Sequence, residues 1–326
     1  MNETSTSSPT STPDPLAGSG LVVVDKPAGM TSHDVVGRLR RIFGTRKVGH
    51  AGSLDPMATG VLVVGIERGT KFLAHMVAAT KAYDATIRLG AATTTDDAEG
   101  EETFRAEPGA VRALDESALR AQVEALTGDI MQRPASVSAI KINGKRAHER
   151  VRDGEDVDIP ARPVTVTRFD ILDTRRVTEP STEPATEGGS AERDWWDIDV
   201  TVECSSGTYI RSLARDLGAA LGVGGHLTAL RRTEVGPFTL ADARTLDQLA
   251  DAPTLSLTMD EALIRSYPVL DVTADEAAAL AMGKWLEPRG LKGVHVAVGS
   301  DGRAVALIKE QGKRLATAFV ARPSTL

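Results

Sequence analysis

The chain has 326 residues, of which 41% are hydrophobic and 25% charged, a composition typical of a globular protein with about two domains. Its single cysteine, Cys204, excludes an intramolecular disulfide, argues against a cysteine-based zinc site and favours a reducing, cytoplasmic location. No apolar run approaches the roughly 18 residues that a membrane span needs, so we expect no membrane association.

The net charge of -7 at pH 7 conceals an uneven distribution of charged residues. Residues 179–199 contain seven acidic side chains and one arginine, which accounts for nearly all of the negative excess. Residues 26–49 and 133–152 instead each contain six basic side chains and one acidic side chain. Because phosphate binding depends on the local field rather than on total charge, both clusters are candidate polyanion-binding surfaces, although solvated helix faces have the same composition.

The amino-terminal residues predict a tail that is followed by the first strand and helix. Residues 1–19 are rich in Ser, Thr and Pro and match neither a secretory signal nor a transit peptide, so we expect disorder there. Residues 21–25 predict a buried strand. Thr31 and Asp34 have the spacing of a capping box, which predicts a helix that begins there, ends at Gly44 and exposes a basic side.

Five further segments have the periodicity of strands or helices. Residues 61–66, 83–89 and 196–204 predict strands, and residues 115–127 and 210–221 predict amphipathic helices. Strands and helices occur together without regular strand–helix–strand repeats. This order indicates an α+β fold rather than a doubly wound sheet.

Two changes in composition predict the domain organisation. Residues 177–192 are rich in Pro, Thr and Glu, which predicts an acidic mobile loop before a strand. From residue 266 a helix-like segment and three short alternating segments predict a small β-rich module. The predicted units are therefore residues 20–265 and residues 266–326.

The segment most informative about chemistry is GHAGSLDPMATG, residues 49–60. Its three glycines, one proline and single acid, Asp55, follow no periodicity, which is typical of a loop held in a special conformation. Taken alone, an Asp in a loop is most often a turn or cap residue, and His50 is more often a packed or solvent-facing histidine. Dinucleotide-binding, P-loop, zincin and hydrolase motifs are absent from the sequence.

Five segments, taken in order, resemble the signature segments of the TruB family, the tRNA pseudouridine-55 synthases of bacterial type. They are GLVVVDKPAGMTSHDVV, GHAGSLDPMATGVLVVGIERGTK, KAYDATIRLGAATTTDDAEG, RPASVSAIKINGKRAHERVRDGE and SSGTYIRSLARDLGAALGVGGHLTALRRTEVGPF. The similarity covers roughly residues 20–245. It implies the pseudouridine synthase fold, a mixed mostly antiparallel sheet flanked by helices, with an RNA-gripping insertion over residues 132–158 and a carboxyl-terminal RNA-binding module of PUA type.

The resemblance also implies roles for individual residues. It places the catalytic aspartate on Asp55, a base-stacking tyrosine on Tyr83 and a carboxylate-pairing arginine on Arg211. Substrate contacts are implied at three further positions, His50, Tyr209 and Leu230.

The chemistry of uridine isomerisation fits these residue types. The enzyme must cleave the C1'–N1 bond, turn the uracil and join C5 to C1', with no redox step, so we expect neither a cofactor nor a metal. A carboxylate in a dry pocket would become protonated unless an opposite charge compensates, and Arg211 can hold Asp55 ionised. Tyr83 can stack on the uracil with its hydroxyl near C5, although a plain core aromatic fits the same pattern. Attack of Asp55 on C6, attack on C1' and removal of a sugar proton all remain open.

The implied substrate is the T-arm of tRNA, in which the uridine must be flipped out of its stack, with His50 as a candidate wedge. We expect phosphate contacts from six basic residues, Arg38, Arg41, Lys141, Lys145, Arg146 and Arg150. No protein partner is required, and a monomer is expected. Two alternatives are a catalytically idle tRNA-binding or folding protein on the same scaffold, and a metal-dependent hydrolase that uses His33, His50 and Asp55.

Overall fold

The computed structural model describes residues 14–76, 79–135, 141–142, 145–146, 159–180 and 192–326. Its strands in chain order are β1 (Gly20–Lys26), β2 (Val48–Ala51), β3 (Thr59–Ile66), β4 (Lys81–Leu89), β5 (Ala91–Thr93), β6 (Glu102–Arg105), β7 (Gly128–Gln132), β8 (Lys141–Ile142), β9 (Lys145–Arg146), β10 (Arg162–Pro180), β11 (Glu192–Cys204), β12 (Gly225–Val235), β13 (Phe238–Thr239), β14 (Leu257–Thr258), β15 (Val269–Asp271), β16 (Val294–Val298), β17 (Ala304–Gln311) and β18 (Arg314–Val320). Its helices are α1 (Ser32–Ile42), α2 (Gly69–Phe72), α3 (Ala110–Ala113), α4 (Glu116–Ala125), α5 (Ile210–Ala220), α6 (Leu246–Asp251), α7 (Met259–Ser266) and α8 (Ala274–Ala281), with short 3-10 helices at Leu73–His75 and Leu240–Asp242.

A mixed, mostly antiparallel sheet forms the body of the molecule. Over the described ranges it has ten strands, whose main path is β14-β1-β3-β12-β4-β11-β10-β7, with β2 paired to β3 and β13 paired to β12. Within this sheet the pairing of β12 with β3 is parallel, and the other recorded pairings are antiparallel. The α+β class predicted from the sequence is therefore confirmed.

Both faces of this sheet are buried at β1 and β3, which explains the continuous apolar runs of these two strands. Successive residues of β1 join two different apolar clusters, because side chains alternate between the faces of a strand. Helices α1, α4 and α5 cover the first face through Val35, Leu39, Leu119, Val123, Leu213 and Leu217. Leu54 and Tyr83 belong to the same cluster, so the predicted site lies on the face that these helices cover.

A second sheet, β15-β16-β17-β18, packs against the body of the molecule. The Arg68 Nε donates a hydrogen bond of 2.7 Å to the carbonyl of Ala321, and the Tyr267 hydroxyl donates one of 2.7 Å to the carbonyl of His75. The division at residues 265 and 266 stays a prediction, since apolar residues from both sides of it share one cluster.

The predicted disorder of residues 1–19 is wrong for its described part, residues 14–19. Leu16 is buried with apolar residues of β1 and of the second sheet. The Asp14 carboxylate accepts a hydrogen bond of 3.1 Å from the Arg322 Nη2, and this arginine lowers the pKa of Asp14 to about 2. One buried leucine and one ion pair thus hold a segment whose composition is typical of disorder.

The predicted acidic loop over residues 177–192 is also wrong at its two ends. Residues 177–180 continue β10, and β11 begins at Glu192, so the two strands form one long antiparallel ladder. The Trp195 indole Nε1 donates a hydrogen bond of 3.1 Å to the carboxylate of Glu179 across this ladder. Cross-strand contacts outweigh the weak strand propensity of Pro and Glu here. The rest of the predicted loop lies outside the described residues.

Candidate active site

The loop that carries Asp55 is shorter than the sequence predicts. His50 lies on β2 and Thr59 begins β3, so residues 52–58 form the loop. The buried Ser32 hydroxyl accepts a hydrogen bond of 2.8 Å from the amide of Leu54. Because Ser32 is the first residue of α1, the start of that helix fixes the backbone immediately before Asp55.

Arg232 of β12 holds the first residue of this loop and the strand that follows the loop. Its side chain is 1% exposed, and it donates hydrogen bonds of 2.9 Å to the carbonyl of Gly52 and 2.7 Å to the carbonyl of Val61. The sheet pairs Arg232 directly with Tyr83. Arg232 is not among the predicted site residues, because an arginine inside a strand is normally a surface residue.

Lys26 is a second buried cation beneath the loop, and its side chain is fully buried. Its Nζ donates hydrogen bonds to the carbonyls of Pro27 at 2.9 Å, Met30 at 2.7 Å and Pro56 at 3.3 Å. Burial lowers the pKa of Lys26 to about 8, against the opposing effect of the Asp55 charge. Lys26 and Arg232 therefore tie the loop to β1 and β12 by contacts with backbone carbonyls.

Asp55 and Arg211 form an ion pair although they lie far apart in the chain. The Nε of Arg211 lies 2.9 Å from the Oδ2 of Asp55, and their side chains are 5% and 39% exposed respectively. Helix α5 presents Arg211 in its first turn. A fixed guanidinium inside the protein thus faces a carboxylate that solvent or a ligand can reach.

A buried turn holds the Arg211 guanidinium from its other side. The Nη1 donates a hydrogen bond of 2.8 Å to the carbonyl of Thr95 and lies 3.5 Å from the Oδ2 of Asp97, whose side chain is 4% exposed. The Oδ1 of Asp97 accepts a hydrogen bond of 3.1 Å from the amide of Glu99. Asp97 is not among the predicted site residues, although it belongs to the TTTDDAEG stretch of the resemblance.

Tyr83 lies on β4 between Arg232 of β12 and Val202 of β11. Burial raises the pKa of its hydroxyl, and the neighbouring Asp55 charge acts in the same direction, while Arg232 opposes both. The phenol is consequently neutral at physiological pH. The Tyr83 hydroxyl can donate a hydrogen bond in this state, whereas action as a base requires that the hydroxyl first lose its proton.

The three predicted substrate contacts lie on three separate elements. His50 is partly buried on β2, and burial lowers its pKa, so the imidazole is neutral. Its Nδ1 has no hydrogen-bond partner among the described residues. Leu230 is buried on β12 in the cluster that contains Tyr83, and Tyr209 precedes the first residue of α5.

Models of the TruB family match successive parts of the chain. The amino-terminal domain of TruB family pseudouridylate synthases matches residues 40–210. The carboxyl-terminal domain of tRNA pseudouridylate synthase B matches residues 211–270, and the carboxyl terminus of tRNA pseudouridine synthase II matches residues 267–322. The chain belongs to the TruB family.

Individual TruB relatives match over nearly the whole chain. The tRNA pseudouridine synthase B of Corynebacterium aurimucosum is 73% identical over 96% of this chain and 99% of its own length. The protein of the same name from Nocardia farcinica is 58% identical over 98% of both chains. A chain of a solved Cbf5–Nop10–Gar1 complex is 26% identical, with a TM-score of 0.67 over 95% of this chain and 87% of that chain. The pseudouridine synthase fold predicted from the sequence is therefore confirmed.

The predicted RNA contacts of this TruB protein are only partly described. Arg41 is exposed on α1, and the exposed Arg38 forms an ion pair of 3.0 Å with Asp247. Three of the others are described only as backbone positions in β8 and β9, namely Lys141, Lys145 and Arg146. Arg150 lies outside the described residues. These contacts stay predictions.

Neither a metal centre nor a membrane span is found in the part of the chain that the structure describes. His33, His50 and Asp55, all of them described, do not form a cluster that could hold a metal ion. None of the described helices is long and apolar enough to cross a bilayer.

We expect Lys26→Met to remove a pH-dependent part of the stability of this TruB protein. Unfolded Lys26 keeps its proton up to its ordinary pKa of 10.5, whereas folded Lys26 loses it near 8. Between these values the unfolded chain binds more protons, so raising the pH favours the folded state of the wild type. The stability advantage of wild type over Lys26→Met should therefore grow from pH 8 to pH 10.5, as measured by urea unfolding.

Subtracting the stability of Lys26→Met from that of wild type removes the contribution of the titratable groups that both proteins contain. Lys309→Met is a matched control, since Lys309 is exposed on β17. A stability difference that stays constant across this pH range for Lys26→Met would contradict the role of the buried ammonium.

Proposed function

We propose that the chain isomerises uridine to pseudouridine at position 55 in the T-arm of tRNA. The observation that carries the proposal is the ion pair between Asp55 and Arg211, which leaves an accessible carboxylate beside the buried Tyr83. The relatives named tRNA pseudouridine synthase B support the same substrate. An enzyme needs Asp55, Arg211 and Tyr83 together, whereas an idle tRNA-binding scaffold has no use for this set.

In this proposal Asp55 supplies the charged oxygen that reacts with the flipped nucleotide. Arg211 pairs with the carboxylate and orients it, because the guanidinium is itself fixed by Thr95 and Asp97. The apolar surroundings of Leu54 exclude water while the uracil is detached from the sugar.

Tyr83, His50, Tyr209 and Leu230 are the proposed substrate contacts. Tyr83 stacks on the uracil and keeps its neutral hydroxyl near the ring. The neutral His50 imidazole occupies the place that the flipped base leaves in the RNA stack, without adding a charge. Tyr209 and Leu230 complete the walls of the base pocket.

The proposed partner is tRNA alone, bound by a monomeric, cytoplasmic protein. The solved complex quoted above contains Nop10 and Gar1 beside Cbf5, which is a property of that assembly. We expect the purified chain to modify a tRNA transcript without added protein, and light scattering should give the mass of one chain. Activity that requires a second protein would contradict this part of the proposal.

Release of tritium from tRNA that carries 5-tritiated uridine tests the proposed reaction, because C5 exchanges its hydrogen for the bond to C1'. We expect release from an unmodified transcript in the presence of EDTA, at one equivalent per tRNA. Replacement of the uridine at position 55 by cytidine should abolish it. Binding without release would favour the idle scaffold, and loss of release in EDTA would show that the reaction depends on a metal ion.

We expect Arg150→Ala and Arg41→Ala to weaken tRNA binding and to flatten its salt dependence. Each lost phosphate contact should lower the slope of log affinity against log salt by about 1. Filter binding between about 50 and 200 mM salt measures this slope. Arg120→Ala is the control, because Arg120 is exposed on α4 and outside both basic clusters. A single-turnover rate that falls as far as the affinity would contradict a pure phosphate contact.

A further inference from the structure

A buried glutamine makes two hydrogen bonds to the residue that precedes helix α5. Gln132, the last residue of β7, is 1% exposed. Its Nε2 donates a hydrogen bond of 3.0 Å to the carbonyl of Tyr209, and its Oε1 accepts one of 2.8 Å from the amide of the same residue. The side-chain amide therefore binds one backbone unit much as a neighbouring strand would.

The backbone of Tyr209 determines where α5 begins. Tyr209 is extended, with φ of -107° and ψ of 112°, and its own side chain makes no capping hydrogen bond to the helix. Its carbonyl also accepts the first helical hydrogen bond, 3.2 Å from the amide of Leu213. The Gln132 amide thus fixes the start of α5, as a capping side chain does at other helices.

Arg211 follows Tyr209 by two residues and contacts Asp55. Because Arg211 lies in the first turn of α5, a change in the backbone of Tyr209 moves its guanidinium relative to Asp55. The turn before Tyr209 is fixed independently, since the amide of Ser205 donates a hydrogen bond of 2.8 Å to the carbonyl of Thr165. The backbone conformation can therefore change only in the few residues between Ser205 and the start of α5, and Gln132 holds the last of them, Tyr209.

We propose that Gln132 is a positioning residue for isomerisation, which sets the start of α5 and thereby the placement of Arg211 against Asp55. The inference rests on the proposed function for its effect on rate. Gln132 itself is buried and contacts the backbone of Tyr209, so it affects the chemical step without contacting the nucleotide.

Two substitutions separate the donor and acceptor functions of the amide. Gln132→Met removes both hydrogen bonds at similar volume. Gln132→Glu keeps the acceptor, but its ionised form cannot donate to the Tyr209 carbonyl. We expect each to lower the single-turnover rate on tRNA about tenfold or more at pH 8, with tRNA affinity within about twofold of wild type.

The pH profile provides a readout that a general loss of stability would not give. A protonated glutamic acid can donate and accept as glutamine does, and burial raises the pKa of such a group. The rate of Gln132→Glu relative to wild type should therefore rise as the pH falls, whereas the ratio for Gln132→Met should stay flat.

Gln248→Met is the matched control. Gln248 also accepts a hydrogen bond from a backbone amide at a helix start, that of Thr245 at 3.0 Å, but it belongs to α6 outside the candidate site. Its loss should lower the urea midpoint without changing the rate. Wild-type rates in both Gln132 variants, or a loss of tRNA affinity as large as the loss of rate, would overturn the inference.

Hydrogen exchange separates this inference from the proposed function. The Tyr209 amide should exchange at least tenfold faster in Gln132→Met than in Gln248→Met, a result that does not depend on any activity. Should Gln132→Met fail to fold, the pH-dependent rate of Gln132→Glu decides. Inactive wild-type protein with slow Tyr209 exchange would refute the proposed function alone, whereas unchanged exchange in Gln132→Met would refute the role of Gln132.

Discussion

Asp55→Asn should lower the single-turnover rate of isomerisation by at least about 10⁴-fold, the largest effect expected of a single substitution in this chain. The amide has nearly the shape of the carboxylate, but it is neither a useful nucleophile nor a base. It also leaves the Arg211 guanidinium without the carboxylate that lies 2.9 Å from its Nε. Tritium release from tRNA, with enzyme in excess over substrate, measures this rate directly.

Asp84→Asn is the matched control for this experiment. Asp84 follows Tyr83 on β4, and its side chain is exposed on the opposite face of the strand. We expect Asp84→Asn to keep the wild-type rate and both variants to bind tRNA within about threefold of wild type. An Asp55→Asn protein that is folded and retains more than about 1% of the rate would show that another group performs the chemistry.

Arg211→Lys should lower the rate by about 10²-fold or more, although it preserves the charge. The guanidinium contacts Asp55 through its Nε and the Thr95 carbonyl and Asp97 through its Nη1. A lysine ammonium is a single charged group, which cannot contact Asp55 and the Thr95 carbonyl at the same time. The tRNA affinity should change little, because the residue is buried and contacts protein atoms.

Two comparisons identify the cause of this effect. Arg215 lies one turn later on α5, and its Nη1 is 3.1 Å from the carboxylate of Asp96. Because Arg215 pairs with Asp96 and not with Asp55, the loss of rate in Arg215→Lys should be at least tenfold smaller than that in Arg211→Lys. Arg211→Ala should also lower the free energy of unfolding by about 3–5 kcal/mol, because it leaves the buried Asp97 carboxylate without its compensating charge. Equal rate losses for Arg211→Lys and Arg215→Lys would mean that pairing with Asp55 is not the decisive contact.

Elements with strong local signals could be predicted from the sequence. The capping box of Thr31 and Asp34 is present, and α1 begins at Ser32 and ends at Ile42. The alternation in β4 and the amphipathic pattern of α5 are likewise observed. In each case the signal and the structure it specifies lie within about a dozen residues, so local propensity and burial act in the same direction.

Central strand β12 has no comparable signal. Its sequence GHLTALRRTEV contains two consecutive arginines, and the structure buries Arg232 completely while Arg231 forms an ion pair of 2.9 Å with Asp25. Two register irregularities against β4 further interrupt its alternation. Its position in the sheet depends on partners from β1, β3 and β4, which a local pattern does not reveal.

The sequence by itself determined the α+β class, the main helices and strands, and the residue types at Asp55, Tyr83 and Arg211. Only the tertiary structure decided how these side chains are held: Lys26 and Arg232 on the loop carbonyls, Asp97 behind Arg211, and Gln132 at the start of α5. The physical reason is that a buried polar group is stable only when partners satisfy it. Those partners come from distant parts of the chain and meet only in the folded protein.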